Sequence, residues 1–148
     1  MPLWKNPTTL EALNRNNKNT INESLGIEFT EIGEDFISAK MAADTRTFQP
    51  TGIIHGGAYV VLAESLGSVA SNLCLDLNKE YSVGLDVNSN HLRSTNSGWV
   101  SGTARPIHIG KSTHVWEIKI SNEEGKLVNI TRLTMIVISR PGMTGRFS

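Results

Sequence analysis

His55-Gly56-Gly57-Ala58-Tyr59-Val60-Val61-Leu62-Ala63-Glu64 opens the longest apolar stretch of the chain, and its reading decides the fold. Beyond it come Leu66, Val69, Ala70 and Leu73, so apolar side chains fall on nearly every side of a helical wheel. The spacing predicts a helix over 55–77, wrapped by the rest of the protein. Gly56 and Gly57 let another chemical group approach the backbone, and a helix start leaves N–H groups without intrahelical acceptors. Glu64 stands about two turns further on. A single carboxylate in such surroundings is costly to bury and points to a chemical role. A helix N-terminus that polarises an electrophile, with one isolated acid behind it, implies acyl chemistry.

Outward from this helix, residues 48–54 read as a Pro- and Gly-containing loop. Residues 8–16 read as a short helix capped by Thr8 or Thr9, and 16–22 as a polar turn. Strands are expected at 27–31 and 36–42, joined by Gly33-Glu34-Asp35. After the long helix the period changes to two: strands at 81–93, 99–105, 113–121 and 126–139, with His114, Trp116, Ile118 and Ile120 on one face. One long helix among antiparallel strands predicts an α+β fold, a curved sheet wrapped around the helix.

The 148 residues suffice for one core and are too few for two ordinary domains, so a single domain over 1–148 is expected, its core about 3–139 and a loose tail from Pro141. A formal net charge of +0 gives no global field for nucleic acid or a membrane surface, and anionic ligands need a local cluster. Cys74 is the single cysteine, which excludes an internal disulfide and leans towards a reducing compartment. Neither a secretory apolar core nor a run of roughly 20 apolar residues is present, so a cytoplasmic location is expected.

Gln49-Pro50-x-Gly52-x-x-His55-Gly56-Gly57, followed by Ala63-Glu64-Ser65-x-Gly67-Ser68 on the helix, resembles the hotdog-fold acyl-CoA thioesterases. The resemblance is to the subclass with a carboxylate on the central helix, which includes 4-hydroxybenzoyl-CoA and 1,4-dihydroxy-2-naphthoyl-CoA thioesterases, the latter of menaquinone biosynthesis. It runs over about 3–139 and includes Trp4-Lys5, 10–14 and Asn90-His91-x-Arg93-Ser94. It implies that Glu64 acts as nucleophile or as general base on water, with Gln49 positioning water and carboxylate. His55 then stands near the thioester, the Gly56 N–H polarises its carbonyl, and Ser68 lines the acyl site. Coenzyme A is implied at Gly84, at His91, Leu92, Arg93 and Ser94, and at His108, Ile109, Gly110, Lys111, Ser112 and Thr113. It enters as part of the substrate, and neither a metal nor a separate cofactor is expected. A homodimer with shared active sites, pairing further into a homotetramer, is also implied.

Helix geometry gives an independent reason for the dimer. Eight residues at 1.5 Å each put Glu64 roughly 12 Å from Gly56 along the axis. One carbonyl cannot touch both, but the two meet if helices of two protomers pack antiparallel. Arg93, Arg105 and Lys111 are the candidates to meet the phosphates, and Phe48, Tyr59, Val83 and Gly84 to shape the acyl pocket. The bland alternatives are an ion pair for Glu64, a capping role for His55, close packing for Ser68 and a core position for His114 and Cys74. Two motifs mislead. Gly110-Lys111-Ser112 lacks the leading glycine and following helix of a phosphate-binding loop, and Ser65 lies inside a helix rather than on a nucleophile elbow. Hydroxyacyl-thioester dehydration and non-catalytic acyl-CoA binding are the competing functions. The acyl group and the choice between covalent and general-base routes stay open.

Overall fold

The computed structural model describes residues 2–141. Two short helices, α1 (Leu10–Arg15) and α2 (Ile21–Ser24), precede strands β1 (Glu28–Ile32) and β2 (Ile37–Ala42). The long helix α3 (Gly56–Leu73) follows, then β3 (Glu80–His91), β4 (Trp99–Ile109), β5 (Thr113–Asn122) and β6 (Leu127–Ser139). All six strands form one antiparallel sheet in the order β1-β2-β4-β5-β6-β3, and α3 packs against β2 to β6. This is the α+β arrangement expected from the periodicity.

The core forms where α3 meets the sheet. Leu62, Leu66 and Ala70 from the helix bury against Ile37, Val100, Trp116, Ile118, Leu133 and Met135. His114, Trp116, Ile118 and Ile120 are all buried, as the alternation along β5 required. Gly67 lets α3 sit close to β6, because a Cβ there would lie 2.5 Å from Leu133 Cδ2. Each buried Leu or Ile contributes roughly 1.5–3 kcal/mol relative to exposure.

Several boundaries differ from the sequence reading. Helix α3 stops at Leu73 rather than 77, because the Lys5 and Asn6 amides donate to the Leu73 carbonyl and end the ladder. The turn expected at 16–22 ends in α2, one turn capped by the Thr20 hydroxyl. Strand β4 runs on to Ile109 past Pro106, where the register shifts between Pro106 and His108; a bulge is where a strand tolerates a residue without an N–H. The apolar wrap of α3 is incomplete: Val61, Glu64, Ser65 and Ser68 form a half-buried stripe. The tail expected after Pro141 lies outside the described residues. Among them, no helix is long and apolar enough to cross a membrane.

Strand β3 is an edge of the sheet, and residues 83–88 are exposed on both of its faces. Leu85 is 59% exposed at a register shift between Gly84 and Asp86, and Val83 and Val87 flank it. An apolar edge of this length with one carboxylate, Asp86, to guard it is a template for strand pairing.

Candidate functional site

The expected site residues fall into two groups at opposite ends of β3. The first, the donor end, is built around the start of α3. His55 is its N-cap, with extended backbone, and its Nδ1 accepts the Gly57 N–H at 2.8 Å. The Ala58 N–H donates to the His55 carbonyl at 2.9 Å. The Gly56 N–H meets no acceptor among the described residues and remains a donor at the positive end of the helix dipole. A cavity of about 270 Å³ opens here, lined by Gln49, Ile53, Ile54, Gly56, Tyr59, His91, Leu92, Arg93 and Ser94.

The loop ahead of the helix is held by its own backbone. Gln49 N–H donates to the Ile53 carbonyl and Gly52 N–H to the Gln49 carbonyl, with Gly52 at φ 79, a left-handed conformation that favours glycine. Gln49 Oε1 accepts the Thr51 hydroxyl at 2.7 Å. His91 reaches in from the end of β3, its ring centroid 5.7 Å from that of Tyr59. A Cβ on Gly56 would come 2.7 Å from His91 Nε2, so only glycine admits the imidazole there. Burial pushes the pKa of the Tyr59 hydroxyl up, and the group stays protonated against the cavity wall.

The second group is the acid end. Glu64 projects from the half-buried stripe of α3, and its carboxylate rests on Gly84 of β3, where a Cβ would collide with Oε2. None of the ion pairs among the described residues involves Glu64, so the structural alternative of a partnered carboxylate is not what the chain adopts. Val61, Ser65, Ser68 and Ile21 line a groove of about 310 Å³ with it. The Ser65 hydroxyl donates to Asn22 Oδ1 at 2.8 Å, tying α2 to the groove.

Within one protomer the two groups stay apart. Gln49 and Gly56 share the donor-end cavity, while Glu64, Ser68 and Gly84 lie at the acid end. His55 caps the helix and does not line the cavity. His91, Leu92, Arg93 and Ser94 belong to the donor end. The turn His108, Ile109, Gly110, Lys111, Ser112 and Thr113 joins β4 to β5 and lies level with the acid end, since Thr113 pairs with Ile136 and Ile136 with Val83. Arg105, a candidate for phosphate, instead sits 3.5 Å from Asp35 with its guanidinium over the Phe36 ring. Val83 faces outward on the β3 edge, and Phe48 bridges to Ile54 beside the donor-end loop. Sequence reasoning missed Ile53 and Ile54 of the cavity wall and Asn22 of the groove, which no motif marks.

The chain matches the model of the thioesterase superfamily over residues 51–129. It is 46% identical to the 1,4-dihydroxy-2-naphthoyl-CoA hydrolase of Escherichia coli over 92% of this chain and 99% of that protein. To the proofreading thioesterase EntH of Cronobacter turicensis it is 42% identical, over 92% of this chain and 98% of that one. The crystal structure of thioesterase HI1161 from Haemophilus influenzae superposes with a TM-score of 0.90 at 49% identity, covering 93% of this chain and 95% of that chain. The fold and the site thus define a hotdog-fold thioester hydrolase. The chain belongs to the thioesterase superfamily.

Proposed function

We propose that the protein hydrolyses an aryl acyl-CoA thioester to the free acid and coenzyme A, at a site built from the donor end of one protomer and the acid end of its partner. The observation that carries this reading is the position of the two ends along β3. His91 lies against Gly56, and Gly84 lies under Glu64, seven positions away on the same exposed edge strand. Antiparallel pairing of β3 with the β3 of a second copy, centred between Val87 and Asn88, sets Gly84 of one chain opposite His91 of the other. Strands in such a pair run about 4.8 Å apart, close enough to bring Glu64 to the partner's helix start. The same pairing brings the His91–Ser94 segment of one chain level with the His108–Thr113 turn of the other, on the same side of the shared site, where both can meet one coenzyme A.

In this arrangement the thioester oxygen accepts from the Gly56 N–H, and the helix dipole favours the charge that develops on it. One such donor is worth about 2.7–4 kcal/mol of barrier. Glu64 acts in one of two ways. As a nucleophile it bonds to the carbonyl carbon while the C–S bond breaks, and water then hydrolyses the mixed anhydride. As a general base it takes a proton from a water molecule whose oxygen attacks the carbonyl, and the thiolate leaves with a proton. Arg93, exposed beside the donor-end cavity, is the cation placed to meet a phosphate there.

The name of the Escherichia coli relative makes 1,4-dihydroxy-2-naphthoyl-CoA the first substrate to try. Thiol release is to be measured over a panel of aryl, aliphatic and 3-hydroxyacyl CoA thioesters. Release with higher kcat/KM for aryl esters is the expected result. Loss of water from the 3-hydroxyacyl esters without thiol release would favour the dehydratase reading instead, and binding without turnover a non-catalytic one.

A further inference from the structure

Behind the donor-end cavity lie the buried Asn129 and Thr131 and the half-buried Ser89, polar groups that the hydrolytic scheme does not use. Asn129 of β6 is fully buried and pairs with His91 across the β3–β6 ladder. Its side-chain amide donates to Ser89 Oγ at 2.8 Å and to His91 Nδ1 at 3.0 Å. Its Oδ1 accepts the Thr131 hydroxyl at 2.7 Å, and the Ser89 and Thr131 oxygens lie 2.9 Å apart. With the Thr131 proton committed to Asn129, the Ser89 hydroxyl donates to Thr131. Asn129, Ser89 and Thr131 therefore close a ring in which each group donates once and accepts once. The second amide proton of Asn129 is left over, and His91 Nδ1 takes it.

The opposite orientation of the amide fits worse. It lets His91 donate through Nδ1, but one of the two amide protons then has no acceptor inside a residue that is wholly buried. Buried amide protons are rarely left unpaired, because nothing replaces the water they give up. The hydrogen-bond count thus favours one orientation of Asn129, and with it one form of His91.

We infer that Asn129 is a positioning residue that holds the neutral His91 ring with its proton on Nε2, so that His91 presents a second hydrogen-bond donor beside the Gly56 N–H. Nε2 is the ring atom nearest a Cβ built on Gly56, and the ring stands in the cavity wall beside Tyr59. Two donors converging on one corner suit an oxygen that gains negative charge, whereas a bare Nε2 would repel it. This inference rests on the hydrolytic reading for the identity of that oxygen, but the state of His91 does not.

Long-range proton–nitrogen NMR on the full-length protein labelled at histidine nitrogen, at about pH 8 where a free imidazole is neutral, reads the tautomer directly. His91→Gln assigns the signals. The expected result is one His91 form, protonated at Nε2 and bare at Nδ1. A ring protonated at Nδ1, or an even mixture, overturns the inference. In Asn129→Leu, a second His91 form should appear, and kcat for thiol release should fall about ten-fold with KM within about two-fold. An Asn129→Leu protein with a single Nε2-protonated ring and unchanged kcat overturns it too. If that variant does not fold, Thr131→Val, which frees the amide by removing one hydroxyl, is held to the same two readings with a smaller fall. A wild-type protein that releases no thiol from any thioester sinks the hydrolytic reading alone, since the tautomer is still measured.

Discussion

The two ends of β3 are backed by similar buried groups and finished in opposite ways. At the donor end, the Ser89–Asn129–Thr131 ring stops at His91, which is exposed and reaches the cavity over Gly56. At the acid end, Ser71 Oγ lies 2.8 Å from Ser82 Oγ and 2.7 Å from His114 Nδ1, and there His114 is itself buried. One network ends at the wall of the open donor-end cavity, and the other is closed and braces α3 against β3 and β5. A histidine on an alternating strand is thus available for chemistry only where the sheet leaves it uncovered. The position of the strand in the sheet, not the residue type, decides which it is.

Changes at the acid end should have the largest effects. Glu64→Gln keeps the size of the side chain and removes its charge, and should cost about 3 kcal/mol or more of transition-state stabilisation, on the order of 10²-fold in kcat. Coenzyme A binding, followed by calorimetry, should stay near that of the wild type. Full activity in this variant would break the assignment of Glu64. Gly84→Ala sharpens the same point, because the new methyl lands on the Glu64 carboxylate and forces it aside. A fall of about ten-fold in kcat is expected, with the melting temperature nearly unchanged. An unaltered kcat would mean that the carboxylate works from another position.

Among the donor-end residues, Arg93 is the one whose loss should show in binding. Arg93→Ala removes an exposed cation beside the cavity, and should raise KM several-fold, about 1 kcal/mol, with kcat little changed. Equal loss in kcat at constant KM would count against a role at the nucleotide.

The smallest effect belongs to the closed network. Burial lowers the pKa of His114 below its ordinary value; nearby His108 adds to this and Glu80 opposes it. The unfolded chain therefore binds a proton at His114 that the folded chain does not, and stability falls as pH drops through the unfolded value of about 6.5. Denaturant unfolding at a series of pH values should show this decline, and His114→Gln should flatten it. An identical slope in the variant would show that the decline arises elsewhere.

Much of this was legible before any coordinates. The apolar pattern of 58–73 marked a helix that is covered except for the half-buried stripe of Val61, Glu64, Ser65 and Ser68, and the Gly56-Gly57 pair marked its start. Period-two alternation along 113–121 put His114, Trp116, Ile118 and Ile120 on the buried face. What stayed hidden depends on distant partners. The helix stops at Leu73 because Lys5 and Asn6, far away in sequence, donate to its last carbonyl. The strand expected at 99–105 runs on to Ile109, because a bulge absorbs Pro106. The distance between Gly56 and Glu64 within one chain follows from helix rise alone, whereas the strand lying between them does not, because exposure of an edge follows from sheet order. Asn129 carries no motif, and its partners Ser89 and His91 lie about 40 positions from it.

The central claim is that each site draws its acid from one protomer and its amide donor from the other. Glu64→Gln protomers mixed with Gly56→Val protomers, each inactive alone, test it most directly. Random reassociation should restore roughly a quarter of wild-type thiol release, because half of the dimers then hold one intact site of two. Mixed dimers, verified by mass, that remain as inactive as their parents would contradict the shared site.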